Sequence, residues 1–392
     1  MTLTRREWLV WTGSTTLMGI ACKPRENPSP SQSGAEDGRG GGEIVIGHYA
    51  SMSGGTAHFG QDTDKAMRLA LEQINAAGGI QGRQLRLVTL DTRGDSAEAA
   101  NAVTRLIDVD KVVAVLGEVA SSLSLAGGRV AQRRKIPMIS PSSTNPKVTQ
   151  IGDYVFRVCF LDPFQGKVMA RFARETLNLN KVAVLKDIKN DYSLGLSEAF
   201  VKAFTEAGGT IAAEQSYSQG DTDFSAQLTA IKGAGVEGVF VPGYYSEVGA
   251  IARTAQRLSL QVPLMGGDGW DAPDLFKIAG DALDGSYFSN HFAPDTAAEK
   301  AKQFVADFTA RYGIAPTGLG ASGYDAMMVL ADAMRRAEAI EPAKIRDALA
   351  ATKDLEVVTG TITIDANRDA QKAAVVLKIE GGKARYLTSI AP

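Results

Sequence analysis

The sequence predicts an α/β protein made of two lobes, each with a parallel-type central sheet, and three observations carry that prediction. From residue 43 onward short apolar runs alternate with amphipathic segments, the pattern of a βαβ chain. At 392 residues the chain is longer than one hydrophobic core serves. The order of elements also repeats. Ala77-Gly78-Gly79 is followed, thirteen residues after Gly78, by Asp91-Thr92, then a helical segment and VVAVLG. Ala207-Gly208-Gly209 is followed, thirteen residues after Gly208, by Asp221-Thr222, a helical segment and Val239-Phe240-Val241-Pro242-Gly243.

Taken in order, residues 43–48 read as the first strand and 60–77 as a helix with Met67, Leu71 and Ile74 on one stripe, stopped by Gly78-Gly79. Strands are expected at 85–90, 112–116 and 137–140, with helices at 96–107 and 122–133 between them. The second lobe opens with a strand at 181–185 and a helix at 194–206.

The stretch KVVAVLGEVASS, 111–122, organises the first lobe: a continuous apolar run fits a strand covered on both faces, and the Ser121-Ser122 pair fits the start of a helix. Free N–H groups at a helix start, helped by a serine hydroxyl, can seat a small carboxylate without metal or catalytic group. The plainer alternative is that Ser121 or Ser122 only caps its own helix. By the internal symmetry, Tyr244, Tyr245 and Glu247 follow the second lobe's strand as Glu118, Ser121 and Ser122 follow the first's. Two lobes facing each other put both sets in one cleft, outside the carboxyl ends of the strands.

Composition narrows the function classes. Apolar residues make up 44% and charged residues 22%, ordinary for a globular protein, and the net charge of −2 argues against nucleic acid as a partner. Residues 1–21 read as a twin-arginine export signal, with Arg5-Arg6 ahead of the uncharged stretch from Trp8. Gly19-Ile20-Ala21-Cys22 looks like a lipoprotein cleavage site, with Gly19 where Leu is usual; Cys22 would carry lipid, and 22–42 would be a flexible tether. The other cysteine, Cys159, then has no partner and is expected in the core.

Several ordered motifs carry a family resemblance: GHYASMSGGTAHFGQD, INAAGGIQGRQLRLVTLD, LGEVASS, ISPSSTNP, KNDYSLG, GYYSE and GGDGW. Over about 43–380 the chain resembles the exported solute-binding proteins of branched-chain amino acid ABC transporters. The resemblance implies a type I periplasmic binding fold: two Rossmann-like lobes joined by a three-crossover hinge, 43–158 plus 290–369 as lobe 1 and 159–289 plus 370–392 as lobe 2. It implies a monomer that captures an amino acid by hinge closure and hands it to an ABC permease in the inner membrane, with no cofactor and no metal. It assigns Ser121 and Thr144 to the ligand carboxylate, the Ser142 carbonyl to the ammonium, and counts Ser143 of the same loop among the ligand-binding residues. Tyr192, Tyr244 and Asp268 come from the opposing lobe. Asp268 stands where leucine-binding relatives often have Glu, and the first-lobe disulfide is absent, with Gly94 and Ala120 at its positions. Phe59, where relatives have Tyr, is expected with Tyr245, Glu247, Trp270 and Leu319 around the ligand. A branched aliphatic, an aromatic or another small carboxylate ligand all remain open.

An enzyme is not expected. The three histidines, His48, His58 and His291, are scattered, and no HExxH, G-x-S-x-G or P-loop occurs. A Ser121 nucleophile finds no base in the sequence, and Asp91 and Asp95 read as turn or cap residues. A ligand-sensing receptor for a signalling partner is the alternative class. The transporter reading is preferred because the chain ends soon after its last strand without a signalling module.

Overall fold

The structure is a computed structural model that describes residues 42–295 and 298–391. The expected export signal, Cys22 and nearly all of the expected tether lie outside the described residues.

Lobe 1 begins with β1 (Ile44–Ala50), α1 (Ala57–Ala76), β2 (Leu85–Asp91), α2 (Ser96–Asp108), β3 (Ala114–Leu116), α3 (Ser121–Arg134), β4 (Met138–Ser140), a 3-10 turn at Pro146–Ile151 and β5 (Val155–Arg157). The chain then builds α4 (Asp162–Arg171), β6 (Lys181–Asp187), α5 (Asp191–Glu206), β7 (Thr210–Tyr217), α6 (Ser225–Gly233), β8 (Gly238–Phe240) and α7 (Tyr245–Arg257). β9 (Leu264–Gly266), a 3-10 turn at Asp268–Trp270, α8 (Pro273–Ala279) and β10 (Tyr287–Asn290) follow. Next come α9 (Glu299–Tyr312), α10 (Gly318–Arg336), α11 (Pro342–Ala350) and the short strands β11 (Leu355–Val357), β12 (Gly360–Ile364) and β13 (Ala370–Gln371). The described chain closes with β14 (Ala374–Glu380) and β15 (Lys383–Ile390).

The first sheet runs β2-β1-β3-β4-β5, all parallel. The second runs β15-β14-β10-β9-β8-β6-β7, so its parallel part repeats the first sheet's order one for one. Its outer pair is antiparallel, β14 on β10 and β15 on β14. A parallel strand needs covering on both faces, whereas every residue of β15 is exposed or half-buried, which suits an antiparallel edge. The chain passes between the sheets three times: after β5, after β10 and between β13 and β14.

The Ala-Gly-Gly repeat has a common physical cause. Gly79 N–H donates to the Ile74 carbonyl and Gly209 N–H to the Phe204 carbonyl, each at 2.9 Å, while Gly78 (φ 98°) and Gly208 (φ 78°) take the left-handed turn. Both lobes end their first helix with the same glycine cap. The first helix starts earlier than expected, at Ala57, with Gly60 inside it. A Cβ on Gly60 would sit 2.3 Å from the Ser51 carbonyl oxygen, so the glycine lets α1 lie directly on the end of β1.

Candidate functional site

In each sheet the strand order reverses beside the first strand, and β3 and β8 leave that point into the starts of α3 and α7. Ser121 is the first residue of α3 and is buried, and its Oγ accepts from Asn145 N–H at 3.3 Å. The turn before it is braced by Glu118. One carboxylate oxygen accepts from Ser51 N–H (2.6 Å) and Ser51 Oγ–H (2.7 Å), the other from Ala120 N–H (2.8 Å). Burial pushes the Glu118 carboxyl up, against these bonds.

The loop after β4 is held from two sides. Ser143 Oγ lies 3.0 Å from the Glu118 carbonyl oxygen, 2.9 Å from that of Val119 and 2.7 Å from Ser124 Oγ. Beneath it, the buried Arg157 donates from Nη1 to the Ser143 carbonyl and from Nη2 to the Asn145 carbonyl at 2.9 Å, and its Nε pairs with Asp369 Oδ1 at 2.6 Å. With the loop so fixed, Ser142 Oγ and Thr144 Oγ1 are buried with no hydrogen-bond partner among the described residues. An unpaired buried hydroxyl is costly, so the pair is ready for a ligand that bonds to it.

On the other lobe Tyr192 and Tyr244 stack with ring centroids 5.4 Å apart and planes 8° apart, and Tyr192 Oη accepts from Gly269 N–H at 3.1 Å. Burial pushes both phenols well above their ordinary value, so they remain hydroxyls. Asp268 Oδ1 accepts from Gln165 Nε2 at 2.8 Å, and Oδ2 lies 3.0 Å from His291 Nε2. Phe59 of α1 meets Tyr244 and Tyr245 edge-on at 5.3 and 5.1 Å, and Tyr245 Oη accepts from His58 N–H at 3.3 Å. These contacts join the two lobes through aromatic rings.

Three of the expected site residues direct their side-chain polar groups into their own lobe. The Trp270 ring lies over Gly266 and against Phe288 (6.0 Å) in the lobe's own core, and its Nε1–H donates to the Val241 carbonyl at 2.9 Å. Glu247 turns to its own lobe's loop, accepting from Gly220 N–H at 3.1 Å and bonding Ser246 Oγ at 2.5 Å. The Ser143 hydroxyl is spent on lobe 1. Leu319, at the start of α10, is buried in the core that runs between the lobes. Cys159 is buried and free as expected, its Sγ–H donating to the Ser143 carbonyl at 3.4 Å, and burial pushes the thiol up to about 12.

Sequence reasoning missed Gln165, His291, Arg157 and Asp162. Asp162 is fully buried with neither carboxyl oxygen within bonding distance of a partner among the described residues, and burial pushes it up to about 8, the neighbouring Thr144 hydroxyl opposing the rise and the Asp268 charge adding to it. Only the position of these residues beside the chain crossings hinted at a role. A groove of about 1170 Å³ between α4 and α5 shares Asn145, Asp162 and Asp191 with this region, but its walls are mostly charged residues such as Lys167, Arg171 and Glu198.

Comparison with known proteins agrees with the fold. The family model described as periplasmic binding protein matches residues 43–383. The Leucine-, isoleucine-, valine-, threonine-, and alanine-binding protein of Pseudomonas aeruginosa is 32% identical over 330 residues, 83% of this chain and 87% of that protein. Leu/Ile/Val-binding protein homolog 3 of Brucella melitensis is 30% identical over 344 residues, 87% of this chain and 92% of that protein. Among solved structures, the leucine binding protein LivK of Thermotoga maritima superposes with a TM-score of 0.86 at 40% identity, over 89% of this chain and 99% of its own. The branched-chain amino acid transporter substrate binding protein LivJ of Streptococcus pneumoniae, in complex with isoleucine, gives 0.85 at 35%, over 89% and 100%. With the family matched over most of its length and relatives of this identity, the chain belongs to the periplasmic binding protein family, in the company of the Leu/Ile/Val-binding proteins.

Proposed function

We propose that the protein is the extracytoplasmic substrate-binding component of an ABC importer and captures an apolar amino acid, branched-chain above all, between its lobes. The observation that carries this reading is the opposition of two unlike half-sites. Lobe 1 offers a helix start with Ser121 and the unbonded hydroxyl of Thr144, suited to a carboxylate, and the Ser142 carbonyl for the ammonium, with the unbonded Ser142 hydroxyl beside it. Lobe 2 offers the buried Asp268, suited to an ammonium, beside the stacked Tyr192 and Tyr244. The relatives' names, and isoleucine in LivJ, support the amino acid class. Phe59 and Tyr245 serve as the wall nearest the side chain.

The ligand docks on lobe 1 and the second lobe swings in, so the contacts made only in the closed form set the closing equilibrium. The moving bodies are 43–158 with 290–369 and 159–289 with 370–392. A permease reads the closed shape, the protein works as a monomer without catalysis, and lipid on Cys22 keeps it at the membrane. A thermal-shift screen over the standard amino acids and small carboxylates, followed by calorimetry, tests the reading. Ser121→Ala and Asp268→Ala are each expected to weaken binding by about tenfold or more. Unchanged affinity in both variants rejects the site.

A further inference from the structure

We infer that His291 is a positioning residue that ties the Asp268 carboxylate to the hinge and holds it without cancelling its charge. The inference rests on the reading of Asp268 as the partner of a ligand ammonium, and deepens it.

His291 follows β10, where the chain crosses back to lobe 1, and its side chain is fully buried. Its ring lies on that of Phe160, centroids 4.0 Å apart and planes 35° apart, and Phe160 stands just after β5 at the first crossing. Two of the three crossings are therefore packed together through this pair. The far edge of the ring reaches Asp268, with Nε2 3.0 Å from Oδ2. A carboxylate accepts only, so Nε2 carries a proton; Nδ1 is buried without a partner among the described residues, where an N–H of a charged ring would have no acceptor, so the geometry favours a lone pair there. The same state follows from burial, which pushes the imidazole below its ordinary value and keeps it neutral; the Asp268 charge opposes this and the buried Lys372 at the third crossing reinforces it. The other charged or titratable groups that feel Asp268 are Asp162 of α4, the phenols of Tyr192 and Tyr244, and Cys159, which feels Lys372 as well.

Neutral donors make a particular kind of seat. Gln165 holds one oxygen of Asp268 at 2.8 Å and His291 the other, both without a formal charge. The carboxylate is fixed in direction, yet its negative charge stays uncompensated for a ligand cation to meet. A lysine or arginine in either place would orient the carboxylate equally well and neutralise it, removing the gain from binding an ammonium. The arrangement thus selects for a charged ammonium, and against a molecule that carries only the carboxylate and side chain.

The test compares L-leucine with isocaproate, the same skeleton without the ammonium, by calorimetry on wild type, His291→Phe and His291→Gln. Phenylalanine keeps a ring on Phe160 and loses the donor; glutamine restores a neutral donor. We expect His291→Phe to weaken leucine by about tenfold, to change isocaproate by less than about twofold, and His291→Gln to recover most of the loss. An equal loss for both compounds, or no loss for leucine, overturns the inference. A second measurement needs no ligand: NMR of the histidine side chains in the free protein, with His291→Phe for assignment, should find the neutral ring protonated at Nε2 near neutral pH. A ring protonated at Nδ1, or charged, overturns the inference even where wild type binds neither compound, an outcome that by itself counts against the amino acid reading instead.

Discussion

Ser122 and Asp191 hold each other across the lobes: Asp191 N–H donates to Ser122 Oγ at 3.0 Å, and Ser122 Oγ–H donates to Asp191 Oδ2 at 2.9 Å. Both residues begin helices, Ser122 in the first turn of α3 and Asp191 at the head of α5. Asn145 adds a third strut, its Nδ2 donating to the Asp191 carbonyl at 2.7 Å. In the hinge closure proposed above, these bonds would form only with the lobes together and would stabilise the closed form and not the open one.

Ser122→Ala removes both bonds of the pair and touches none of the groups proposed to meet the ligand. With each partly buried bond worth about 0.5–1.5 kcal/mol, amino acid affinity should fall by roughly five- to a hundredfold. Small-angle scattering should show a more open ligand-free population. Unchanged calorimetric affinity and scattering would mean that the pair forms without governing closure.

Arg157 is the second test. It is buried under the loop that presents Ser142 and Thr144, and it is bonded to two carbonyls of that loop and to Asp369. Arg157→Ala leaves Asp369 buried without its cation and takes the guanidinium from the Ser143 and Asn145 carbonyls, which keep only Cys159 Sγ–H and Val148 N–H, and should cost about 3–5 kcal/mol of stability. Arg157→Lys should rescue little, because an ammonium cannot span partners served by a planar fork. Urea unfolding that shows a loss under about 1 kcal/mol for the alanine variant refutes the assignment.

What was legible in the sequence was local. The Ala-Gly-Gly caps need only residues five apart in the chain, Gly79 to Ile74 and Gly209 to Phe204, so their repeat in the sequence already announces two similar lobes. The start of α3 at Ser121 follows likewise from apolar residues giving way to hydroxyls. The rest depended on partners far away. Trp270 looked like a pocket wall because nothing in GGDGW reveals that Val241, 29 residues earlier, takes its N–H. Glu247 matched the symmetry of the two lobes, but Gly220, 27 residues back, captures its carboxylate. Gln165 and Arg157 meet partners 103 and 212 residues distant, and a residue's own neighbours carry no trace of such pairs.

Two buried carboxyls at the meeting of the lobes make stability depend on pH. Burial pushes Asp162 up to about 8 and Asp271 up to about 7. Asp271 Oδ2 accepts from Gly318 N–H at 2.6 Å, linking the Asp268–Trp270 turn to the start of α10. The sign follows from linkage. A carboxyl whose folded value lies above its unfolded one binds its proton more tightly in the folded protein, so its contribution is fully present below about pH 4 and is lost as pH rises towards the folded value. Wild type should therefore lose melting temperature between about pH 5 and pH 8, beyond which these two groups change nothing further. Asp162→Asn keeps the shape of the protonated side chain and cannot ionise. Its melting curve should be flatter over that window, and it should overtake wild type near the alkaline end. Differential scanning calorimetry across the range decides the matter, and parallel curves for the two proteins would show that Asp162 does not carry the dependence.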